Sequence, residues 1–156
     1  MQVCFIGHRV IQKSEKLLST LKQTIIDLVK KGTTTFLFGS MSAFDEVAWG
    51  VVTELKALYP FIKRVYVRST YSYIDTSYED YLLGSYEETY FPAKVEHAGK
   101  ASYVERNREM INRSTYCVFY YDENYTPLNR NSGTKHAYLY ALKKKKQIIN
   151  LYDYIL

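Results

Sequence analysis

Ser132-Gly133-Thr134 stands between a run that predicts a strand, residues 116–121, and one that predicts a helix, residues 135–144. The first N–H groups of a helix have no partner within it, a glycine lets a ligand approach the main chain, and two hydroxyls can add hydrogen bonds to phosphate oxygens. The chemistry on offer is the holding of an anion, above all a phosphorylated small molecule. A serine in this place also serves as a plain N-cap. His8 and Arg9 follow the first predicted strand directly, where a cation can meet phosphate or ribose. Gly39-Ser40 repeats the order of strand, glycine and helix, with Asp45 in the first turns of that helix. A carboxylate there is favoured by the helix dipole and can also accept hydrogen bonds from ribose hydroxyls. Arg106 and Met110 are four apart and share a helix face, and a guanidinium binds phosphate through paired hydrogen bonds. His136, just behind the Ser-Gly-Thr turn, could titrate there or simply sit half-buried. No Ser-His-Asp set, H-E-x-x-H pair or Walker sequence is present, so no catalytic residue is assigned. Cys4 and Cys117 have no metal-ligand spacing, and neither a metal site, a disulfide framework nor a cofactor is expected.

The elements that must position these residues follow from the apolar pattern. Residues 2–7 predict a short buried strand. Leu17, Leu21, Ile25 and Leu28 then repeat at helical spacing behind Ser14 as N-cap, and Gly32 ends the helix. Residues 33–38 predict a second strand, and a helical run from Phe44 to Leu55 closes before Pro60. Residues 62–67 predict a third strand. Residues 69–99 show no sustained period and are broken by Gly84 and Pro92, so they predict an irregular, Tyr-rich insertion with one short helix near 78–83. A helix over 101–113, the strand at 116–121, a loop over 122–131, the helix behind Ser132 and a last strand at 147–151 complete the order. Strands alternating with helices imply right-handed parallel crossovers. The expected fold is α/β, a doubly wound parallel sheet of about five strands with helices on both faces, in one domain spanning 1–156. In such a sheet ligands bind beyond the carboxyl ends of the strands, where strand order reverses. Gly7, His8, Arg9, Gly39, Ser40, the loop after 121 and the 132–134 turn all belong to that edge, and the helix carrying Arg106 begins there.

With 156 residues, 47% of them hydrophobic, the chain suits a single core. No apolar stretch approaches the roughly 20 residues needed to span a bilayer, and the first residues lack the pattern of a signal peptide, so a cytoplasmic protein without membrane contact is expected. The net charge of +5 is a mild bias toward anionic partners, but much of it is Lys143 to Lys146 at a helix C-terminus, where cations complement the dipole. The 17 tyrosines suit a wet pocket wall or a protein interface, and self-association into a homo-oligomer is expected.

Phe5-Ile6-Gly7-His8-Arg9, Gly39 with Phe44-Asp45 and Ala48, Arg106 with Asn107, Met110 and Ser114, and Ser132-Gly133-Thr134 together resemble the SLOG superfamily of Rossmann-like nucleotide-binding domains, most closely its YpsA-like branch. The resemblance implies a nucleotide or nucleotide-derived ligand, such as an ADP-ribose-like or cyclic nucleotide signal. It implies a ligand site of Gly7, His8, Arg9, Gly39, Ser40, Asp45, Arg106, Asn107, Ser132, Gly133 and Thr134. A sensor or sequestering protein, in phage defence or counter-defence, fits that reading. The superfamily includes the Lonely Guy enzymes, which remove a base from a nucleoside monophosphate, so the alternative is a nucleotide N-glycosidase or phosphoribohydrolase. Those enzymes carry an arginine eight residues before a serine, as Arg106 and Ser114 do, and then Gly-Gly-x-Gly-Thr-x-x-Glu. Here Gly133-Thr134 remains, the paired glycines ahead of it are absent, and Ala137 takes the place of the glutamate that assists cleavage. The DNA-processing member of the superfamily suggests a third reading, single-stranded nucleic-acid binding through the lysines and tyrosines.

Overall fold

The computed structural model of the chain describes residues 1–40, 42–125 and 132–156. Its strands are β1 (Gln2–Gly7), β2 (Thr35–Phe38), β3 (Lys63–Val67), β4 (Glu88–Tyr90), β5 (Tyr116–Tyr120) and β6 (Gln147–Asn150). Its α-helices are α1 (Glu15–Lys30), α2 (Ala43–Leu55), α3 (Thr76–Leu83), α4 (Ser102–Arg113), α5 (Gly133–Lys143) and the single-turn α6 (Tyr152–Ile155). The six strands form one sheet in the order β4-β3-β2-β1-β5-β6, parallel throughout. Strand order therefore runs outward from β1 in one direction through β2, β3 and β4, then resumes on its other side at β5. The switch point lies between the carboxyl ends of β1 and β5.

Period-two alternation sends successive side chains of each strand into different layers. Val3 and Phe5 join Phe36, Phe38 and Val118 under the apolar stripes of α1 and α2, where Phe5 stacks on Phe36 and Phe38 with ring centroids 5.7 and 5.2 Å apart. Cys4, Ile6, Leu37, Val65, Cys117 and Phe119 face Met110 and Ile111 of α4 and Ala137 and Ala141 of α5. Both cysteines are free and buried, and burial pushes the Cys4 thiol well above its usual pKa, so it is packing rather than a nucleophile.

The sheet has six strands where about five are expected, because the insertion supplies β4. Three half-exposed residues at a sheet edge are too few to show a period in sequence. Pairing fixes them: Glu87 N–H donates to Arg64 O at 2.9 Å, Arg68 N–H to Tyr90 O at 2.9 Å, and the Glu87 carboxylate binds Arg64 at 2.6 Å. The insertion is thus more ordered than its composition suggests. Its helix starts two residues before 78 because the Asp75 carboxylate accepts from Tyr78 N–H at 2.8 Å. The helix expected over 101–113 begins at Ser102, after two short 3-10 turns. The loop expected over 122–131 falls from 126 onward outside the described residues.

Lys143 to Lys146 is not a uniformly solvated tetrad. Lys146 Nζ donates to Asn112 O and Ser114 O at 3.2 and 3.0 Å, closing the C-terminus of α4. No helix among the described residues is long and apolar enough to cross a membrane.

Candidate functional site

The turn after β2 is built around a glycine with no room above it. A Cβ on Gly39 would lie 2.5 Å from Arg106 Cδ and 2.6 Å from Met110 Sδ. Arg106, only 4% exposed, crosses this glycine, donates from Nη1 to Gly39 O, and reaches Ser69 Oγ at 3.3 Å beyond β3. Its Nε donates to Asn107 Oδ1 at 3.1 Å, and its guanidinium lies 5.5 Å from the centre of the Tyr103 ring. One side chain of α4 therefore ties together the carboxyl ends of β2 and β3. The shared face of Arg106 and Met110 is directed at that end of the sheet.

Asp45 belongs to the same network. Ser42 caps α2 by accepting from Asp45 N–H at 3.1 Å, and the Asp45 carboxylate folds back so that Oδ2 accepts from Ser40 N–H at 2.7 Å and from Ser40 Oγ–H at 2.5 Å. Oδ1 is buried without a hydrogen-bond partner. Burial raises the carboxyl pKa to about 6, against the lowering effect of the Ser40 hydrogen bonds and of the Arg106 charge. Burial also pushes up the pKa of the nearby Tyr66 phenol, against the lowering effect of the Arg106 charge.

The second cluster occupies the switch point. His8, 2% exposed, accepts from Asp122 N–H through Nε2 at 2.9 Å, which places the proton of the neutral ring on Nδ1. That Nδ1 is buried and has no hydrogen-bond partner. The Tyr125 ring stacks on the imidazole, centroids 3.9 Å apart and planes 17° from parallel. Asn150 at the end of β6 braces the same loop, its Oδ1 accepting from Tyr121 N–H and its Nδ2 donating to Tyr121 O, both at 2.9 Å.

The eleven residues singled out in the sequence divide into groups. Gly39, Ser40, Asp45, Arg106 and Asn107 are joined in one network, whereas His8 is held separately by the loop after β5. Gly7 is occupied by packing, since a Cβ there would lie 2.6 Å from Phe44 Cβ. The Arg9 side chain is exposed, and its carbonyl accepts from Ala43 N–H at 3.0 Å. Ser132 caps α5 by accepting from Lys135 N–H at 3.2 Å; Gly133 is exposed and Thr134 buried. The start of α5 and the start of α4 both lie on the carboxyl rim, but among the described residues no hydrogen bond joins Ser132, Gly133 or Thr134 to Arg106 or His8. Sequence reasoning missed Ser69, Asn150 and Tyr125. A polar residue two positions past a buried strand was the available signal for Ser69, whereas Asn150, the last residue of β6, and Tyr125 gave none.

Burial disfavours the charged imidazole, so the His8 pKa is lowered from 6.5, with the Asp122 backbone opposing the shift. A depressed value means that the unfolded chain binds the proton first. His8 therefore contributes stability above about pH 6.5 that is lost as pH falls through the lower folded value. Asp45 has the opposite sign: its contribution is full below 3.8 and is lost as pH rises through about 6. From the lowered folded value of His8 up to about pH 6 the two slopes partly cancel. Urea unfolding across this range is expected to show stability rising with pH in Asp45→Asn and falling with pH in His8→Gln, and parallel profiles in both variants would refute the assignment.

Two clefts lie apart from these clusters. One, of about 520 Å³, runs between α1 and the end of the chain beside Lys31, Ile149 and Tyr154. The other, of about 470 Å³, lies beside β4 and α3. Among the described residues no three of His, Cys, Asp and Glu are grouped to hold a metal ion.

A wholly parallel, doubly wound sheet with buried polar side chains gathered on its carboxyl rim defines an α/β protein of the Rossmann-like class. The family model YpsA, described as the YspA SLOG family, matches residues 8–154, and the chain belongs to that family. DNA processing protein A from Helicobacter pylori, a structure described for its single-stranded DNA binding mode, has the same fold, with a TM-score of 0.55 and 18% identity. The alignment covers 95% of this chain and 63% of that one, so the chain spans less than two thirds of its structural relative. No curated protein matches the sequence.

Proposed function

We propose that the protein binds a nucleotide or nucleotide-derived small molecule on the carboxyl rim of its sheet and acts as a sensor or sequestering protein for it, in phage defence or counter-defence. The observation that carries this reading is the meeting of Arg106 with Gly39 and Ser69, from three separated segments, beside the Tyr103 ring, with Asp45 held by the adjoining Ser40. A cation, an acceptor and aromatic faces are what a phosphate, a ribose and a base require. His8 adds a fixed donor at the switch point, Arg9 an exposed charge, and Gly133 with Thr134 a helix mouth. Binding at millimolar concentration or tighter is expected in calorimetric titration against nucleoside mono- and diphosphates, ADP-ribose and cyclic nucleotides. Arg9→Ala, on the surface, should weaken it about tenfold through the lost charged contact. Silence across the panel overturns the proposal.

Hydrolysis of the ligand has less support. Ala137 is buried in the apolar layer between α5 and the sheet, Asp45 is committed to Ser40, and Glu109 faces Tyr90 and Arg113. Single-stranded nucleic acid remains a second reading because of the fold shared with DNA processing protein A and the exposed run of neighbouring rings Tyr71, Tyr78 and Tyr81. Titration with an oligonucleotide at two salt concentrations separates the readings, since that mode requires affinity to fall steeply with salt. The same fractions, sized by light scattering, test self-association of the chain.

A further inference from the structure

Arg68 follows β3 directly and is 9% exposed. Its main chain is used, N–H to Tyr90 O at 2.9 Å, but its Nε is buried with no hydrogen-bond partner, and among the described residues it enters no ion pair. A guanidinium taken out of water without a counter-charge costs stability. Three carboxylates border the same cleft, and none lies within ion-pair distance of Arg68: Glu87 holds Arg64 at 2.6 Å, Glu88 lies 3.5 Å from Lys63, and Glu79 enters no ion pair among the described residues. Arg68 lines the cleft of about 470 Å³, which Ser72, Tyr73, Ile74 and Thr89 also border. That volume is in the range of small-molecule sites. Tyr73, 85% exposed, offers an aromatic face, and Ser72 and Thr89 offer hydroxyls.

We infer that this cleft is a second binding site, separate from the Arg106 network, in which Arg68 receives the phosphate or carboxylate of a small molecule while Tyr73 and Ile74 cover its apolar part. Alternation along the chain supports the separation: Ser69, the next residue, is the one that reaches Arg106. A bound anion would take the place beside Arg68 that none of the cleft's carboxylates, Glu79, Glu87 or Glu88, occupies at ion-pair distance. Nothing in it depends on what the rim binds.

The test is an amide NMR titration of the whole chain with inorganic phosphate, phenyl phosphate and benzoate. Saturable shifts are expected at Ser72, Tyr73, Ile74 and Thr89, with phenyl phosphate or benzoate binding about tenfold more tightly than inorganic phosphate. The two aromatic probes show which anionic group is preferred. In Arg68→Gln the affinity should fall at least about tenfold, while the amides of His8 and Ser40 stay unchanged. Because the removed charge has no partner, Arg68→Gln should also melt no lower than the parent without anion. No saturable shift by about 50 mM, equal affinity in the variant, or a melting temperature lowered by more than about 5 °C would each overturn the inference, the last by making Arg68 a structural residue. Nucleotide titration of the same variant keeps the outcomes apart, since rim binding is expected to survive it.

Discussion

Arg106→Ala is expected to destabilise the fold by about 3 kcal/mol, more than removal of any exposed charge in the chain. Three losses combine. The Gly39 carbonyl and the Ser69 hydroxyl lose their guanidinium partner, the space above Gly39 that the side chain fills becomes a cavity, and the Asp45 carboxylate loses the cation that lowers its pKa. The last term can be isolated. Asp45→Asn in the Arg106→Ala background should restore about 1 kcal/mol, because an amide carries no charge to strand in the interior. Urea unfolding of the two single variants and the double variant at pH 7 forms the cycle. Strict additivity would show that the carboxylate and the guanidinium do not sense one another, and a loss below about 1 kcal/mol for Arg106→Ala would show that the turn after β2 holds itself. In the singly altered protein the Asp45 carboxyl should titrate above its present value of about 6.

This network also marks the limit of what could be read from residues alone. The strands and the helices behind Ser14 and Ser42 follow from local patterns, because apolar alternation and capping act over a few positions. That Arg106 and Met110 share a face was equally legible. What they face was not, since the meeting of α4 with Gly39 spans 67 residues and depends on how the sheet is ordered. Gly39 and Gly7 are expected in the ligand site, and the structure fills the space a side chain would take at each from within, with Arg106 and Phe44. A missing side chain in the sequence does not say what enters the gap. Ser132 illustrates the converse: its N-cap role follows from local chemistry and is present. Arg68 escaped notice because its interest lies in the partner it lacks, a property of packing and not of residue type.

Phe44 carries the other large expected effect. It is fully buried at the start of α2, edge-on to Phe5 at 6.4 Å and tilted against Tyr120 at 5.9 Å, and it closes over Gly7 at the end of β1. Phe44→Ala should cost about 3–5 kcal/mol, as for other phenylalanines cut out of a packed core. Gly7→Ala fails for the opposite reason. Its added methyl would lie 2.6 Å from Phe44 Cβ and closer still to the ring, so strand or helix must shift, at about 1–3 kcal/mol. Since both effects concern one volume, they should not add. In the Phe44→Ala protein the ring has gone but the Cβ at position 44, 2.6 Å from the added methyl, is kept, so the cost of Gly7→Ala should shrink only in part. Undiminished cost in that background would place the glycine requirement in the kept Cβ or the backbone rather than in the ring. His8 gives an independent readout, because it follows Gly7 directly and its Nε2 bond to Asp122 N–H depends on where β1 ends. A Gly7→Ala protein whose β1 is displaced by Phe44 should therefore show an altered His8 ring signal, and the Phe44→Ala background should return it toward the parent.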